Sequence, residues 1–171
     1  VGGIAAWLLK TDPAPPTRRL ALAPPVEIEG ERIKPSISPD GRMMAYFADG
    51  KLWLQHLDQL TARAVQGSES ATQAAWSPDG DALVMAVGSE IRRVTLEGDS
   101  SLVAHLPVAV GDIGASLGWT ADDTIVYATG DNSIFEVPVA GGSPRSILDP
   151  DPAVESDFHQ PFALPEGRGI L

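Results

Sequence analysis

Apolar residues recur along this chain in short runs separated by polar turns. The runs MMAYF, ALVMAV and TIVYA are dense in residues that favour strands. Each is followed by a tight turn (ADG, GSE or GDN) and by a second run, LWLQHL, IRRVTL or IFEVPV, in which polar residues interrupt apolar ones. This pattern predicts β-hairpins with half-exposed second strands, and no segment after Leu9 has the period of a helix.

The hairpins belong to a repeat that is marked by an acidic turn residue in SPDG, SPDG, TADD and LPEG. Those residues, at intervals of 39, 43 and 44, are Asp40, Asp79, Asp122 and Glu166. Twelve positions after each of the first three stands an aliphatic residue: Leu52, Ile91 and Ile134. Three matches at one offset indicate an internal repeat, and a period of about 40 to 45 residues with several strands per unit is typical of propeller blades.

Each copy supplies four strands. A short strand precedes the turn and ends at Ile37, Trp76 or Trp119. Outer segments end at Ala64-Val65, Leu102-Val103 and Ile147-Leu148. We therefore predict an all-β fold, a partial β-propeller of four-stranded antiparallel blades spanning 26–171. The blades are approximately 33–66, 72–106, 115–149 and 158–171, the last being only the start of a blade, so the propeller is expected to be incomplete.

The N-terminal segment, VGGIAAWLLK, has nine apolar residues before Lys10. A full span needs about 20 residues, so we interpret residues 1–10 as the end of a transmembrane helix. A signal-peptide tail or a buried strand is the alternative interpretation. Residues 11–25 are rich in proline, as in a tether. Positive charges at Lys10, Arg18 and Arg19 disfavour, weakly, an extracytoplasmic location of the body.

Composition narrows the classes of function. The chain has 171 residues and a formal net charge of −11. Because it has no cysteine, disulfides and thiolate sites are excluded. No basic stripe is present, and we therefore expect no nucleic-acid partner. Kinase motifs, a GxSxG elbow and phosphate-loop spacings are also missing. We accordingly expect no catalytic residue and no cofactor in this segment.

Few residues are candidates for metal chemistry. The densest carboxylate cluster lies in DPDPAVESD, and its oxygens could gather calcium, but its prolines and the lack of a central glycine favour a solvated loop between blades. Its members are Asp149, Asp151, Glu155 and Asp157. His56, His105 and His159 are too far apart in sequence for ligand spacing.

The repeat positions themselves are interpreted as structural. In SPDG, proline presets φ, aspartate bonds its own backbone and glycine accepts positive φ. Trp76 and Trp119 precede the turn and suit packing between blades, whereas Trp53 lies outside that position. The predicted structural positions are Asp40, Gly41, Trp76, Asp79, Gly80, Trp119 and Asp122.

The segments PSISPDGRMMAYFADGKLWLQHLDQLTARAV, AAWSPDGDALVMAV and LGWTADDTIVYATGDNSIFEVPVAGGSPRSIL resemble the TolB-like, WD-type (PD40-like) propeller repeat. More narrowly, they are similar to the C-terminal propeller of bacterial membrane-anchored serine/threonine protein kinases. The resemblance covers about residues 18–171. The third copy departs from it with TADD, and the fourth has Ala163 where tryptophan stands in two others.

This resemblance implies a non-catalytic sensor or protein-interaction propeller on a membrane receptor, with a kinase domain upstream of Val1. Its partner would be a protein or a small ligand on a propeller face, and the N-terminal segment would meet the membrane. A stand-alone TolB-like periplasmic scaffold and a propeller that accompanies a hydrolase are the alternatives. An extracytoplasmic, periplasmic location is expected for the propeller.

Overall fold

The computed structural model describes residues 35–106, 116–129, 133–151, 153, 161–164 and 169–171. These residues form β-strands and turns with no helix. The predicted end of a transmembrane helix, residues 1–10, and the tether, residues 11–25, lie outside the described residues. In the described part of the chain, no helix is long and apolar enough to cross a membrane.

Three four-stranded antiparallel sheets follow one another along the chain, and we number them blades 1 to 3. Blade 1 contains β1 (Ser36–Ile37), β2 (Met43–Ala48), β3 (Lys51–His56) and β4 (Ala62–Ala64). Blade 2 contains β5 (Ala71–Trp76), β6 (Ala82–Val87), β7 (Glu90–Thr95) and β8 (Ser100–His105). Blade 3 contains β9 (Leu117–Trp119), β10 (Thr124–Ala128), β11 (Ile134–Pro138) and β12 (Arg145–Leu148). The all-β fold of four-stranded blades is thus confirmed.

The tight turns between the second and third strands follow from their residues. Asp49 and Gly50 both have positive φ, 51° and 65°, which is the type I′ pattern that matches the twist of a hairpin. In the next blade, Gly88 alone has positive φ, 58°, as at the first central position of a type II′ turn. The third such turn, GDN, lies outside the described residues.

Two of the three core clusters of the described residues are seams between consecutive blades, and the third, formed by Met44, Tyr46 and Ala48, lies within blade 1. Ala45, Leu52 and Leu54 of blade 1 pack with Leu83, Met85 and Val94 of blade 2 in the first seam. The second seam joins blades 2 and 3. Its residues include Val84, Ala86, Ile91, Trp119, Ile125, Tyr127 and Val137. Because successive side chains of a strand point to opposite faces, the central strand β6 supplies residues to both seams.

The aliphatic residues at the twelve-residue offset are all buried. Leu52 and Ile91 have no exposed surface, and Ile134 is 8% exposed. Each pairs with the last or next-to-last residue of the preceding strand: Phe47, Ala86 and Ala128 respectively. The offset therefore marks one packing position in each blade.

A fourth hairpin begins after blade 3. Ala163 pairs with Ile170 as an isolated antiparallel bridge, and the Leu164 N–H donates to the Gly169 carbonyl at 2.9 Å. The spacing of seven residues equals that of the Ile37–Met44 and Trp76–Leu83 pairs. Ala163 thus occupies the position of tryptophan in blades 2 and 3, as the repeat predicts, and it lies near Gly118 of blade 3.

Candidate interaction surface

The first two SPDG turns are built by a buried serine hydroxyl. Ser77 Oγ donates to Asp79 Oδ1 at 2.6 Å and accepts the Ala82 N–H at 3.0 Å. Asp79 Oδ1 also accepts the Asp81 N–H at 3.3 Å, and Gly80 N–H donates to the Ser77 carbonyl at 3.0 Å. The side chains of Ser and Asp therefore satisfy backbone groups that the turn removes from the strand ladder.

The SPDG turn of blade 1 has the same contacts. Ser38 Oγ donates to Asp40 Oδ1 at 2.6 Å and accepts the Met43 N–H at 2.9 Å. Gly41 and Gly80 have φ of 69° and 79°, a region that favours glycine. A Cβ at Gly80 would lie 3.3 Å from Pro39 Cδ, so the turns of blades 1 and 2 are also close to each other.

The third turn, TADD, is one residue shorter but keeps the scheme. Thr120 Oγ1 donates to Asp122 Oδ1 and accepts the Thr124 N–H at 3.2 Å. Asp123 takes the positive φ, 58°, that glycine takes in the other two turns. Its Oδ1 accepts the Trp119 indole N–H at 3.1 Å, which fixes the aspartate in this conformation.

The two SPDG turns also lower the pKa of their aspartates. The hydrogen bond from Ser77 holds the pKa of Asp79 below its usual value, and the hydrogen bond from Ser38 does the same for the pKa of Asp40. In each case the ionised form is favoured because it accepts hydrogen bonds that the protonated form would weaken. Both aspartates are therefore anionic at neutral pH.

Trp76 and Trp119 lie at equivalent places, 9% and 7% exposed, and each faces the preceding blade. The Trp76 indole N–H donates to the Ser36 carbonyl of blade 1 at 3.3 Å. Trp53 differs, because its indole N–H donates to the Ala48 carbonyl within its own hairpin.

Two neighbouring arginines of β7 point to opposite faces of blade 2. Arg92 pairs with Glu90 at 2.9 Å and donates to Ser100 Oγ at 3.0 Å. Arg93 faces blade 3, where its guanidinium carbon lies 6.0 Å from the centre of the Trp119 ring. The buried Arg93 Nε has no hydrogen-bond partner.

Two tyrosine hydroxyls are buried without a hydrogen-bond partner, at equivalent positions of β2 and β10. They belong to Tyr46 and Tyr127, 2% and 0% exposed, and Met85 fills the same position in blade 2. Burial raises the pKa of Tyr127 to about 12 and raises the pKa of Tyr46 as well. Tyr127 stacks on Phe135, with ring centres 5.7 Å apart. Tyr127 therefore acts as an apolar residue of the second seam, whereas Tyr46 lies in a cluster confined to blade 1.

The candidate calcium ligands are described only in part. Asp149 accepts a hydrogen bond from Ser146 Oγ at 2.7 Å, and Asp151 accepts the Ala153 N–H at 2.9 Å. Glu155 and Asp157 lie outside the described residues, as does His159. Among the residues that the structure describes, no group of three potential metal ligands is found. His105 lies 3.7 Å from Glu90, and His56 is exposed.

We define the turn face as the edge of the blades that carries the turns between the first and second strands and between the third and fourth strands. Antiparallel connections place these six turns at the same edge. The described turn residues there include one cation, Arg42. The carboxylates on the turn face, all exposed, are Asp40, Asp58, Asp79, Asp81, Glu97, Asp99, Asp122 and Asp123.

Sequence reasoning identified three of these carboxylates as turn residues and did not recognise the shared face. The sequence does contain a signal for this acidic face, because five further acidic residues stand between predicted strands: Asp58, Asp81, Glu97, Asp99 and Asp123. Each blade contributes at least two carboxylates at the same edge. The stack of Arg93 on Trp119 had no sequence signal, since the two residues are 26 positions apart in different copies.

Solved structures with a similar fold agree with the blade geometry. A structure named as TolB from Agrobacterium tumefaciens superposes with a TM-score of 0.63 and 21% identity, covering 83% of this chain and 55% of that one. The chain has a TolB-like propeller fold. TolB from Acinetobacter baumannii gives a TM-score of 0.60 at 16% identity, covering 78% of this chain and 35% of that one.

This TolB-like fold also resembles that of virginiamycin B lyase from Staphylococcus aureus, with a TM-score of 0.55 and 17% identity over 75% of this chain and 43% of that one. The chain spans about half of the Agrobacterium protein and about a third of the Acinetobacter one. No protein-family model and no curated protein matches the sequence. Likeness at this identity establishes the fold, and one fold serves many functions.

Proposed function

We propose that this TolB-like propeller is a non-catalytic, protein-interaction domain that binds a basic protein surface through the turn face. The observation that carries the proposal is the set of eight exposed carboxylates at that edge of the described blades, where Arg42 is the one basic turn residue and the Arg63 guanidinium lies beside Gly98. Surfaces of one sign attract partners of the other sign, which accelerates association and discriminates against wrong partners.

The turn face is also held rigidly, which favours binding. Ser38, Ser77 and Thr120 anchor their aspartates by short hydrogen bonds, and each turn leads into a strand that is mostly buried. Less conformational entropy is lost when a partner meets a surface that is already ordered. Loops fixed on a strand scaffold are a common location for binding residues.

We further propose that the propeller works outside the cytoplasm as the sensor of a bacterial membrane receptor that carries a serine/threonine kinase domain upstream of Val1. The support is the sequence resemblance together with the order of apolar run, Pro-rich tether and propeller. The chain itself has none of the kinase motifs, so incubation with ATP and a generic substrate protein should yield no phosphotransfer. Phosphate transfer by purified residues 1–171 would refute the non-catalytic assignment.

A stand-alone periplasmic scaffold is the second candidate, and the likeness to two structures named TolB favours it. An antibody against the propeller distinguishes the two in the native bacterium. If the propeller belongs to a receptor, the antibody should detect a membrane-bound polypeptide long enough to include a kinase domain. If it is a stand-alone scaffold, the antibody should detect a smaller polypeptide that is released with the periplasmic fraction.

Binding by the turn face is tested with two variants that remove the same number of charges. The turn-face variant combines Asp58→Asn, Asp81→Asn, Glu97→Gln and Asp99→Asn, which keeps Asp40, Asp79 and Asp122, the aspartates that accept the short hydroxyl hydrogen bonds of the turns. The control variant neutralises four carboxylates at the opposite edge of the blades. Its substitutions are Asp49→Asn, Glu69→Gln, Asp149→Asn and Asp151→Asn.

The tagged chain and both variants are cross-linked to envelope extract of the bacterium at low and at high salt, and bound proteins are quantified. We expect a protein that is captured by the wild type and the control variant, that is reduced about tenfold by the turn-face variant, and whose capture weakens with salt. Equal capture by both variants, at either salt concentration, would exclude the turn face as the binding surface.

A further inference from the structure

Arg93 differs from the other basic side chains of the described residues. Four of them form ion pairs with carboxylates: Arg42, Lys51, Arg92 and Arg145. Arg63 is exposed to solvent. Arg93 is partly buried, and no carboxylate of the described part of the chain lies within ion-pair distance of it. In a chain with 23 acidic and 12 basic residues, an arginine in a seam without an acidic partner is unexpected.

The surroundings fix the orientation of this guanidinium. Arg93 pairs across the sheet with Val84 of β6 and Ser101 of β8, so its side chain lies on the face toward blade 3. There it lies over the Trp119 ring at 6.0 Å, a distance at which a cation is attracted to the ring. Its Nε is buried against the seam, so only the terminal amino groups can meet a molecule from solvent.

Partial burial without an acceptor is unfavourable for a cation, because water is removed and no protein group replaces it. Stacking on tryptophan compensates in part and also holds the planar fork in one orientation. The exposed hydroxyl-bearing residue Ser101 lies directly across on β8 and can offer another donor on the same face. The arrangement is a set of fixed donors without an acceptor.

We propose that Arg93, stacked on Trp119 in the seam of blades 2 and 3, binds a carboxylate group of a protein partner, either an acidic side chain or a chain terminus. A carboxylate matches the planar fork of guanidinium with two parallel hydrogen bonds. It carries one negative charge, whereas phosphate carries up to two and is repelled more by a chain of net charge −11.

The probe is sodium acetate, added to the ¹⁵N-labelled chain at constant ionic strength with sodium chloride. The reporter is the indole N–H of Trp119, which donates to Asp123 and is assigned by its loss in Trp119→Phe. We expect a saturable shift of this resonance in the millimolar range. A shift that is linear in acetate or is reproduced by chloride alone would overturn the proposal.

Arg92 supplies a matched control, since it is the adjacent arginine of the same strand on the opposite face and is paired with Glu90. Arg93→Met should weaken acetate binding by about tenfold or more, whereas Arg92→Met should leave it within about twofold. Equal weakening by both variants would mean that acetate responds to net charge and would overturn the site.

Two further measurements complete the test. If Arg93→Met fails to fold, Arg93→Lys keeps the positive charge but lacks the fork, and should weaken binding about threefold or more. Unchanged acetate binding in Arg93→Lys would overturn the proposal that the guanidinium fork binds the carboxylate. Inorganic phosphate should perturb the Trp119 resonance less than acetate, and a stronger saturable response to phosphate would overturn the assignment to carboxylate. None of these outcomes depends on the four carboxylates that the turn-face variant replaces.

Discussion

The second and third turns of the repeat reach the same conformation with different residues. Ser77 and Thr120 each supply a hydroxyl that bonds an aspartate and accepts a backbone N–H of the next strand. The third turn has neither the proline nor the glycine of SPDG, and it is one residue shorter. The hydroxyl and the carboxylate, which both turns share, therefore determine the turn, and proline and glycine refine its backbone.

The largest expected effect concerns the tryptophan that precedes each of these turns. Trp76→Ala and Trp119→Ala should each lower the free energy of unfolding by about 3–5 kcal/mol, because a large buried ring leaves a cavity. The cost should be greater for Trp119, which also bonds Asp123 and lies under Arg93. Urea unfolding followed by circular dichroism measures both, and a larger loss in Trp76→Ala would reverse this ranking.

The next effect tests the shared hydroxyl. Ser77→Ala should cost about 1–3 kcal/mol, because the buried Ala82 N–H loses its acceptor and Asp79 loses its donor. Ser77→Thr should keep most of the stability, since threonine has this role in the third turn. The same urea titration compares the two variants. If Ser77→Thr is as unstable as Ser77→Ala, the two turns are not interchangeable.

A smaller effect is expected for the backbone. Gly80→Ala should cost about 1–2 kcal/mol, because φ is 79° and the added Cβ would lie 3.3 Å from Pro39 Cδ. Gly41→Ala is the matched control, since φ is 69° and nothing lies within 4 Å of its Cβ. Thermal unfolding measures both losses of stability, and the amount by which Gly80→Ala destabilises more than Gly41→Ala reports the contact between blades. Equal destabilisation by the two substitutions would mean that Pro39 moves aside freely.

The smallest effect is the pH dependence of the Ser77–Asp79 bond. The pKa of Asp79 is lowered in the folded protein, so below the usual carboxyl pKa, about 3.9, the unfolded chain binds the proton more readily. Its contribution is present above that pKa and is lost as the pH falls through the folded value. The stability difference between wild type and Ser77→Ala should therefore narrow from pH 7 to pH 3. A difference that widens would contradict this sign.

The strands were predictable because several local signals agree. The runs before and after each turn, the tight ADG and GSE turns and the offset that places Leu52, Ile91 and Ile134 all indicate the same hairpins, and the structure confirms them. Ala163 pairs with Ile170 in the register that the repeat requires, although alanine replaces tryptophan. Periodic signals of this kind depend on neighbours in sequence, which the chain shows directly.

The surface was less predictable because it depends on residues brought together from different copies. That Asp123 adopts the positive φ of a glycine depends on the Trp119 indole N–H, and the sequence alone does not show this bond. The stack of Arg93 on Trp119 likewise requires two blades to be in contact. The charge count of −11 was visible, but its concentration on the turn face follows only from the order of strands in the sheets.

Each core cluster that spans blades joins two consecutive ones, and this has a consequence for how the molecule opens. Stability in such an array is approximately a sum of blade terms and nearest-neighbour terms, as in a one-dimensional chain of coupled units. Blade 2 contributes to both seams, so its amide hydrogens should exchange with solvent most slowly. Opening should begin at the outer blades and progress inward, one seam at a time.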